Sequence, residues 1–234
     1  MANPELRSRL DALPGWLSHE EGENLYDLAR ACTGRGVIVE IGSWRGKSTT
    51  CLGLGSRAGN DVRVFAVDRH TDGTFPDFEA NVAAAGIEDL VTPIKGLSQE
   101  VAADFDEPIE LLFIDGAHQY EPVRQDFDRW VPKVVEGGVV VMHDTIGYPG
   151  VQRVAEDSMY KSRHFEGVHL VFPTSTVGRK VALNTTADRV RNRGSLGVMR
   201  TIATTRRVLG KDIVPRPVLR AGRRVARATL RAIH

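Results

Sequence analysis

The chain has 234 residues, 31 lysines and arginines against 30 aspartates and glutamates, and 41% hydrophobic residues, which suits one globular domain with a sizeable core. No window approaches eighteen consecutive apolar residues, and the first stretch, MANPELRSRLDALPGW, is charged where a signal peptide needs an apolar run, so a soluble, cytoplasmic protein is expected. Cys32 and Cys51 are not spaced as a metal pair, and two thiols make no disulfide scaffold.

In chain order, residues 1–35 form an expected helical cover, in which EEGENLYDLARACT (20–33) reads as a helix. From residue 36, apolar runs of strand length alternate with segments of helical composition, the signature of an α/β protein. VIVEI (37–41), VRVFAV (62–67), LVTPI (90–94), IELLFI (109–114) and VVVM (139–142) read as five parallel strands buried on both faces. The segments 46–58, 76–85, 98–104 and 120–131 between them read as helices, the second capped by Gly86. A helix over about 150–161 is followed by VHLVF (168–172), PTS and TVGRKVAL (176–183), which read as an antiparallel hairpin. The expectation is a Rossmann-like seven-stranded sheet with helices on both faces, which binds its ligand beyond the carboxyl ends of the strands.

The first strand runs into EIGSWRGKST (40–49), where glycines let the main chain approach a ligand and a helix begins with free N–H groups. Two readings compete there. Gly42 to Ser48 nearly forms a phosphate-binding P-loop, with Asp115 as a second nucleotide-binding carboxylate, but three residues separate its glycines where that motif has four. Alternatively, Asp68 at the next strand end suits the two hydroxyls of a ribose, and Glu40 beside the glycine turn suits an ammonium group. S-adenosylmethionine has both features.

VEIGSWRGKST, VFAVD, LLFIDGAHQYEPVRQDFDRW and GGVVVMHDT, in that order, resemble the class I S-adenosylmethionine-dependent methyltransferases. They are most similar to metal-dependent O-methyltransferases that include tailoring enzymes acting on sugars of macrolides and other glycosides. A narrower resemblance, with no motif of its own for the acceptor, is to sugar 1-O-methyltransferases acting on short mannosides in methylmannose polysaccharide biosynthesis. The resemblance covers about residues 36–182 and implies a methyltransferase domain there, with the cofactor held by Glu40, Gly42, Ser43, Gly46, Lys47, Ser48, Asp68, Arg69, Gly96, Ser98 and Asp115. Ser98 reads equally as a helix N-cap, and Arg69 and His70 as flanks of the nucleoside or solvated residues.

The fourth and fifth strands end in IDGAH (114–118) and MHDT (142–145). Asp115, His143 and Asp144 are the expected ligands of a divalent cation, Mg²⁺ or Mn²⁺. Related catechol-type enzymes use carboxylates and an amide there, so His143 departs from their pattern. Transfer of a methyl group to an alcohol needs the hydroxyl proton removed, and His118 is the expected general base, with His143 as the alternative. Tyr148, in TIGYPGV, is the expected substrate wall, and Trp44 and Trp130 are candidates for stacking on a sugar, with core packing the favoured reading of Trp130 in the helical pattern DFDRWV.

Charge divides along the chain: residues 1–178 hold 16 basic and 28 acidic side chains, a balance of −12, whereas residues 179–234 hold 15 and 2, a balance of +13. Residues 183–234 thus read as a basic extension, in which Arg220, Arg223, Arg224, Arg227 and Arg231 form one helical stripe. Such a stripe suits docking onto the acidic body or a second copy of the chain, or a membrane surface. No aromatic residue lies beyond 183 to stack on bases, so nucleic acid is not an expected partner. The expectation is an O-methyltransferase for a sugar or glycoside hydroxyl. A P-loop nucleotide hydrolase and a non-catalytic module acting through the arginine stripe are the competing readings.

Overall fold

The computed structural model describes residues 3–209. Two compact units are formed: one runs to Ala117 and resumes over Gln125–Val135, and the other comprises His118–Arg124 and the chain from Glu136 onward. Seven strands follow the order β3-β2-β1-β4-β5-β7-β6: β1 (Val37–Ile41), β2 (Val64–Asp68), β3 (Val91–Lys95), β4 (Ile109–Ile114), β5 (Val134–Met142), β6 (Phe165–Val171) and β7 (Ser175–Lys180). This is the Rossmann-like methyltransferase sheet.

In the first unit, β1 pairs in parallel with β2 and β4, which sets Glu40 beside Ala66 and Phe113. Every residue of β1 and β4 is buried, as both-face coverage by helices demands. The strand β3 differs from expectation: it pairs with β2 only, and Thr92, Pro93 and Lys95 are exposed. An edge strand tolerates a proline, which has no N–H to offer a neighbour.

The covering helices are α1 (Pro4–Ala12), α2 (His19–Arg30), α3 (Lys47–Arg57), α4 (Phe75–Ala85), α5 (Ser98–Asp104) and α6 (Tyr120–Trp130). Helix α2 starts at a capping box, in which the Ser18 hydroxyl accepts from the Glu21 N–H and the Glu21 carboxylate accepts from the Ser18 N–H. It lies close to α3 because Gly55 presents no side chain: a Cβ there would sit 2.3 Å from the Tyr26 carbonyl oxygen. Cys32 and Cys51 are buried free thiols.

In the second unit, β7 pairs antiparallel with β5 and β6, which forms the expected hairpin. Helix α7 (Pro149–Ala155) continues into a π-helical turn over Glu156–Tyr160. A further helix, α8 (Thr186–Leu209), occupies part of the segment read as a basic extension. It starts where the Thr185 N–H donates to Asp188 and the Asp188 N–H donates to the Thr185 hydroxyl, and it buries Asn192, Ser195, Leu196, Met199 and Ile202. The amide of Asn192 accepts from the Val168 N–H at 3.0 Å and donates to the Phe165 carbonyl at 2.9 Å, fastening α8 to β6. The arginine stripe from Arg220 to Arg231 lies outside the described residues. Among the described residues, no helix is long and apolar enough to cross a membrane.

Candidate active site

The end of β1 carries a fully enclosed polar side chain. Glu40 is fully buried; the Thr49 hydroxyl donates to one carboxylate oxygen, whereas the other, Oε1, has no hydrogen-bond partner. The hydroxyl of Ser43, also buried, has none either. Burial pushes the Glu40 carboxyl up to about 8, against the opposing pull of hydrogen bonds from Ser48 and Thr49. Buried polar atoms are normally satisfied, so two such atoms beside a glycine turn mark a place for a polar ligand.

The turn is made by Gly42 and Gly46, whose φ angles of +89° and +82° lie in the left-handed region. A Cβ on Gly42 would meet the Asp115 carbonyl oxygen at 2.3 Å, so the main chain passes directly over the end of β4. Gly46 caps α3 without a side chain, which leaves the helix N-terminus to main-chain groups. The ammonium of Lys47 donates to the Gly15 carbonyl at 3.2 Å. The P-loop reading needs that lysine on a phosphate, and here it is committed to the N-terminal segment.

Asp68, the last residue of β2, accepts from two main-chain groups: Trp44 N–H to Oδ2 at 2.9 Å and His70 N–H to Oδ1 at 2.7 Å. Each oxygen retains a second lone pair, and the side chain is one-fifth exposed, so the carboxylate can still accept from ligand hydroxyls. Arg69 is exposed. His70 is not solvated: it is buried against Phe75 and Phe78, its Nδ1 lies 3.1 Å from the Thr74 hydroxyl, and burial lowers its pKa and favours the neutral ring.

After β3, the Gly96 N–H donates to the Asp68 carbonyl at 3.0 Å, so this turn is tied to the ribose-binding candidate. Ser98 is the first residue of α5 and not its cap, which is Leu97. Its hydroxyl donates to Asp126 on α6, as does Nε2 of Gln99 at 2.6 Å. Burial raises the Asp126 carboxyl to about 6, with the Ser98 and Gln99 hydrogen bonds opposing the shift. Asp126 and Gln99 are absent from the sequence-based candidates. The available signal is spacing: Asp126 falls three residues after Val123 and four before Trp130, placing an acid on the apolar stripe of α6. Trp130 is core, fully buried, with its indole N–H donating to the Ser98 carbonyl.

The second unit brings together His118, Asp144 and Tyr148. Nε2 of His118 lies 3.1 Å from Oδ2 of Asp144, and the Tyr148 ring stacks on the imidazole with centroids 3.9 Å apart and an interplanar angle of 11°. His143 lies on the other side of the same carboxylate, its Nδ1 3.6 Å from Oδ1, and its Nε2 is 3.4 Å from the Thr174 hydroxyl. His143 is buried, whereas the His118 side chain is 40% exposed, so His118 is the histidine open to a substrate. Among the described residues, His118 and Asp144 belong to a group of side chains whose ligand atoms lie close enough together to hold a metal ion, and His143 does not.

The fold is that of the class I S-adenosylmethionine-dependent methyltransferases. Residues 39–145 match the family described as Methyltransferase domain. Among solved structures, the O-methyltransferase TomG of Streptomyces achromogenes, involved in tomaymycin synthesis and solved with SAM, has a TM-score of 0.60 at 21% identity over 78% of this chain and 92% of its own. The O-methyltransferase NovP gives 0.62 at 17% identity over 76% and 88%. CalS11, a TDP-rhamnose 3′-O-methyltransferase of calicheamicin biosynthesis, gives 0.54 at 16% identity over 75% and 92%. At these identities the likeness is one of fold. Two curated relatives match over short stretches: uncharacterized protein y4gI of Sinorhizobium fredii, 45% identical over 40 residues, and uncharacterized protein R132 of Acanthamoeba polyphaga mimivirus, 39% identical over 56 residues. The match takes in 17% and 21% of this chain, and this chain spans only 4% and 25% of their respective lengths.

Proposed function

We propose that the chain is an S-adenosylmethionine-dependent O-methyltransferase that methylates a hydroxyl of a sugar or glycoside, assisted by a divalent cation, with His118 as general base. The observation that carries the cofactor assignment is the pair of buried, partnerless oxygens, Glu40 Oε1 and Ser43 Oγ, beside the Gly42 turn. They fit the ammonium group of a methionyl moiety, and Asp68 fits the ribose hydroxyls. The cofactor, when bound, supplies an electrophilic methyl group on its sulfonium.

Residues of the second unit deal with the acceptor. With a proton on Nε2 donated to Asp144, the His118 ring keeps Nδ1 as a proton acceptor, and the Asp144 carboxylate stabilises the imidazolium formed when the acceptor hydroxyl gives up its proton. Stacking on Tyr148 fixes the plane of the ring. Asp144 would be a ligand of the cation, whose positive charge lowers the pKa of an alcohol.

The sugar class is supported by an aromatic platform beside the glycine turn. Trp16 is 84% exposed and packs on Trp44 at 5.1 Å, with the Arg45 guanidinium 4.6 Å from the Trp44 ring centroid. An exposed indole packed on a second indole that carries a guanidinium over its ring suits the apolar face and hydroxyl rim of a pyranose. One of the structural relatives is named a TDP-rhamnose 3′-O-methyltransferase, and the narrower resemblance adds short mannosides as the acceptors proposed for this chain.

The test is thermal stabilisation by S-adenosylhomocysteine, ATP and GTP, each with and without Mg²⁺. Stabilisation by S-adenosylhomocysteine supports the reading and leads to a screen of sugar acceptors. Stabilisation only by a nucleoside triphosphate with Mg²⁺ overturns it and restores the P-loop reading.

A further inference from the structure

Three buried hydroxyls stand in a row that begins at the residue after Asp144. Oγ1 of Thr145 lies 2.6 Å from the Thr174 carbonyl oxygen and 2.8 Å from Oγ1 of Thr176, which is in turn 3.3 Å from the Tyr160 hydroxyl. None of Thr145, Thr176 and Tyr160 is more than 1% exposed. Thr176 stands on β7 opposite Met142 of β5, and Tyr160 closes the π-helical turn, a kind of turn frequent at functional sites. Hydroxyls that only satisfy one another add little to stability, and valine and phenylalanine would fill the same space, so packing alone does not call for them.

Each hydroxyl has one proton, and that fixes the direction of the row. A carbonyl oxygen only accepts, so the contact of 2.6 Å requires the Thr145 proton to point at Thr174. Thr145 is then the acceptor toward Thr176, and Thr176, its one proton used, is the acceptor toward Tyr160. Burial pushes the Tyr160 phenol up, against the opposing hydrogen bond to Thr176, so the head of the row keeps its proton. At the other end, the Thr174 carbonyl takes the Thr145 N–H as well, at 2.9 Å. That N–H lies in the peptide plane set by the ψ angle of Asp144, so holding it on Thr174 holds Asp144 in its left-handed conformation at φ +57°.

We infer that Thr176 and Tyr160 are positioning residues: through Thr145 they keep Asp144 in the strained conformation that sets its carboxylate against Nε2 of His118. This rests on the reading of Asp144 as the partner of a general base, His118. A strained residue persists where its surroundings over-determine it, and the row supplies that restraint from two further elements, β7 and the π-helical turn. Loss of the row lets Asp144 relax, and a carboxylate displaced from the imidazole no longer orients the ring or stabilises its protonated form.

The experiment determines crystal structures of the full chain as Tyr160→Phe, Thr176→Val and Thr176→Ser, and measures methylation of mannobiose by these and by Asp144→Asn. Tyr160→Phe keeps the volume and takes away only the head donor, whereas Thr176→Val breaks the row in the middle. Thr176→Val is expected to release Asp144 from its left-handed conformation and to part it from His118, lowering kcat by about 10- to 100-fold with KM and the Kd of S-adenosylhomocysteine within about twofold. Tyr160→Phe should lower kcat severalfold, and should add nothing to Thr176→Val, because it acts through that residue. Thr176→Ser keeps the hydroxyl and should restore the unmodified values. The structures decide the positioning claim whether or not mannobiose is methylated: folded Tyr160→Phe and Thr176→Val proteins that keep Asp144 left-handed and its 3.1 Å contact with His118 overturn the inference. An Asp144→Asn protein with unmodified kcat overturns the reading of Asp144, and the inference with it. Loss of turnover in Asp144→Asn but not in Thr176→Val leaves that reading standing and overturns the inference alone.

Discussion

Oδ2 of Asp144 faces Nε2 of His118 at 3.1 Å, while its other oxygen faces Nδ1 of His143 at 3.6 Å. Asp144 holds this position between two imidazoles with φ at +57°, a left-handed conformation that a non-glycine residue adopts at a cost of about 1 kcal/mol or more. Thr145 secures the chain that follows, its N–H and hydroxyl both donating to the Thr174 carbonyl, at 2.9 and 2.6 Å. The main chain is thus held in an unfavourable conformation that brings one carboxylate against the exposed histidine.

From that pairing, His118→Ala is expected to lower kcat by about 10²- to 10⁴-fold, the usual contribution of a general base. Affinity for S-adenosylhomocysteine should stay nearly unchanged, because the cofactor candidates, at the ends of β1, β2, β3 and β4, do not include His118. Turnover and calorimetric binding measured on the same preparation check both halves. An active alanine variant removes His118 as the base.

How far the sequence could be read depended on where the determining contact lies. β1 and β4 match their expected residues end for end, since four or five apolar residues around a single glutamate, closed by glycine or aspartate, leave no other register. LVTPI has the same apolar look, but Pro93 was the sign that β3 is an edge. Glu40 and Asp68 were legible because strand ends are where such a sheet binds ligands. Asp126 was legible only as an acid on the apolar stripe of α6: its partners Ser98 and Gln99 are 28 and 27 residues away. The partner of Lys47, a main-chain carbonyl at Gly15, has no sequence signal. Helix α8 was hidden by its basic composition, although Thr185 and Asp188 stand at the spacing of a cap.

Glu40→Gln tests the buried carboxyl. Its pKa is about 8 in the folded protein against an ordinary 4.5, so between those values the unfolded chain has released a proton that the folded chain still holds. The folded state then binds more protons, and its stability falls as pH rises through that window, by at most about 1.4 kcal/mol per unit. Glutamine does not titrate. The unliganded variant should therefore match the unmodified protein near pH 4.5 and gain in relative stability up to pH 8, as read from melting temperatures across that range. Above pH 8, where the carboxyl is ionised, its affinity for S-adenosylhomocysteine should drop about tenfold, because a neutral amide replaces a charged acceptor for the ammonium.

Trp16→Ala separates the aromatic platform from the core. The ring is 84% exposed, so melting temperature should barely move, in keeping with the small effect of most surface substitutions. Loss of a stacking face is expected to raise KM for the sugar acceptor by about 2- to 10-fold, from about 0.5–1.5 kcal/mol per aromatic contact, with cofactor affinity intact. An unchanged KM across a panel of glycosides would detach the platform from the acceptor.

Removal of divalent cations separates metal assistance from simple base catalysis. If Asp144 helps to hold a cation that acidifies the acceptor hydroxyl, exhaustive chelation should abolish methylation, and Mg²⁺ or Mn²⁺ should restore it. Binding of S-adenosylhomocysteine should survive chelation, since Glu40, Ser43 and Asp68 need no metal to present their oxygens. In the alternative, the Asp144–His118 pair works unaided: the carboxylate polarises the imidazole, the imidazole takes the hydroxyl proton, and turnover is the same with chelator as without. Full activity in chelator, unaltered by added Mg²⁺, would therefore assign the whole of the acceptor's activation to His118 and Asp144 and remove the cation from the reaction.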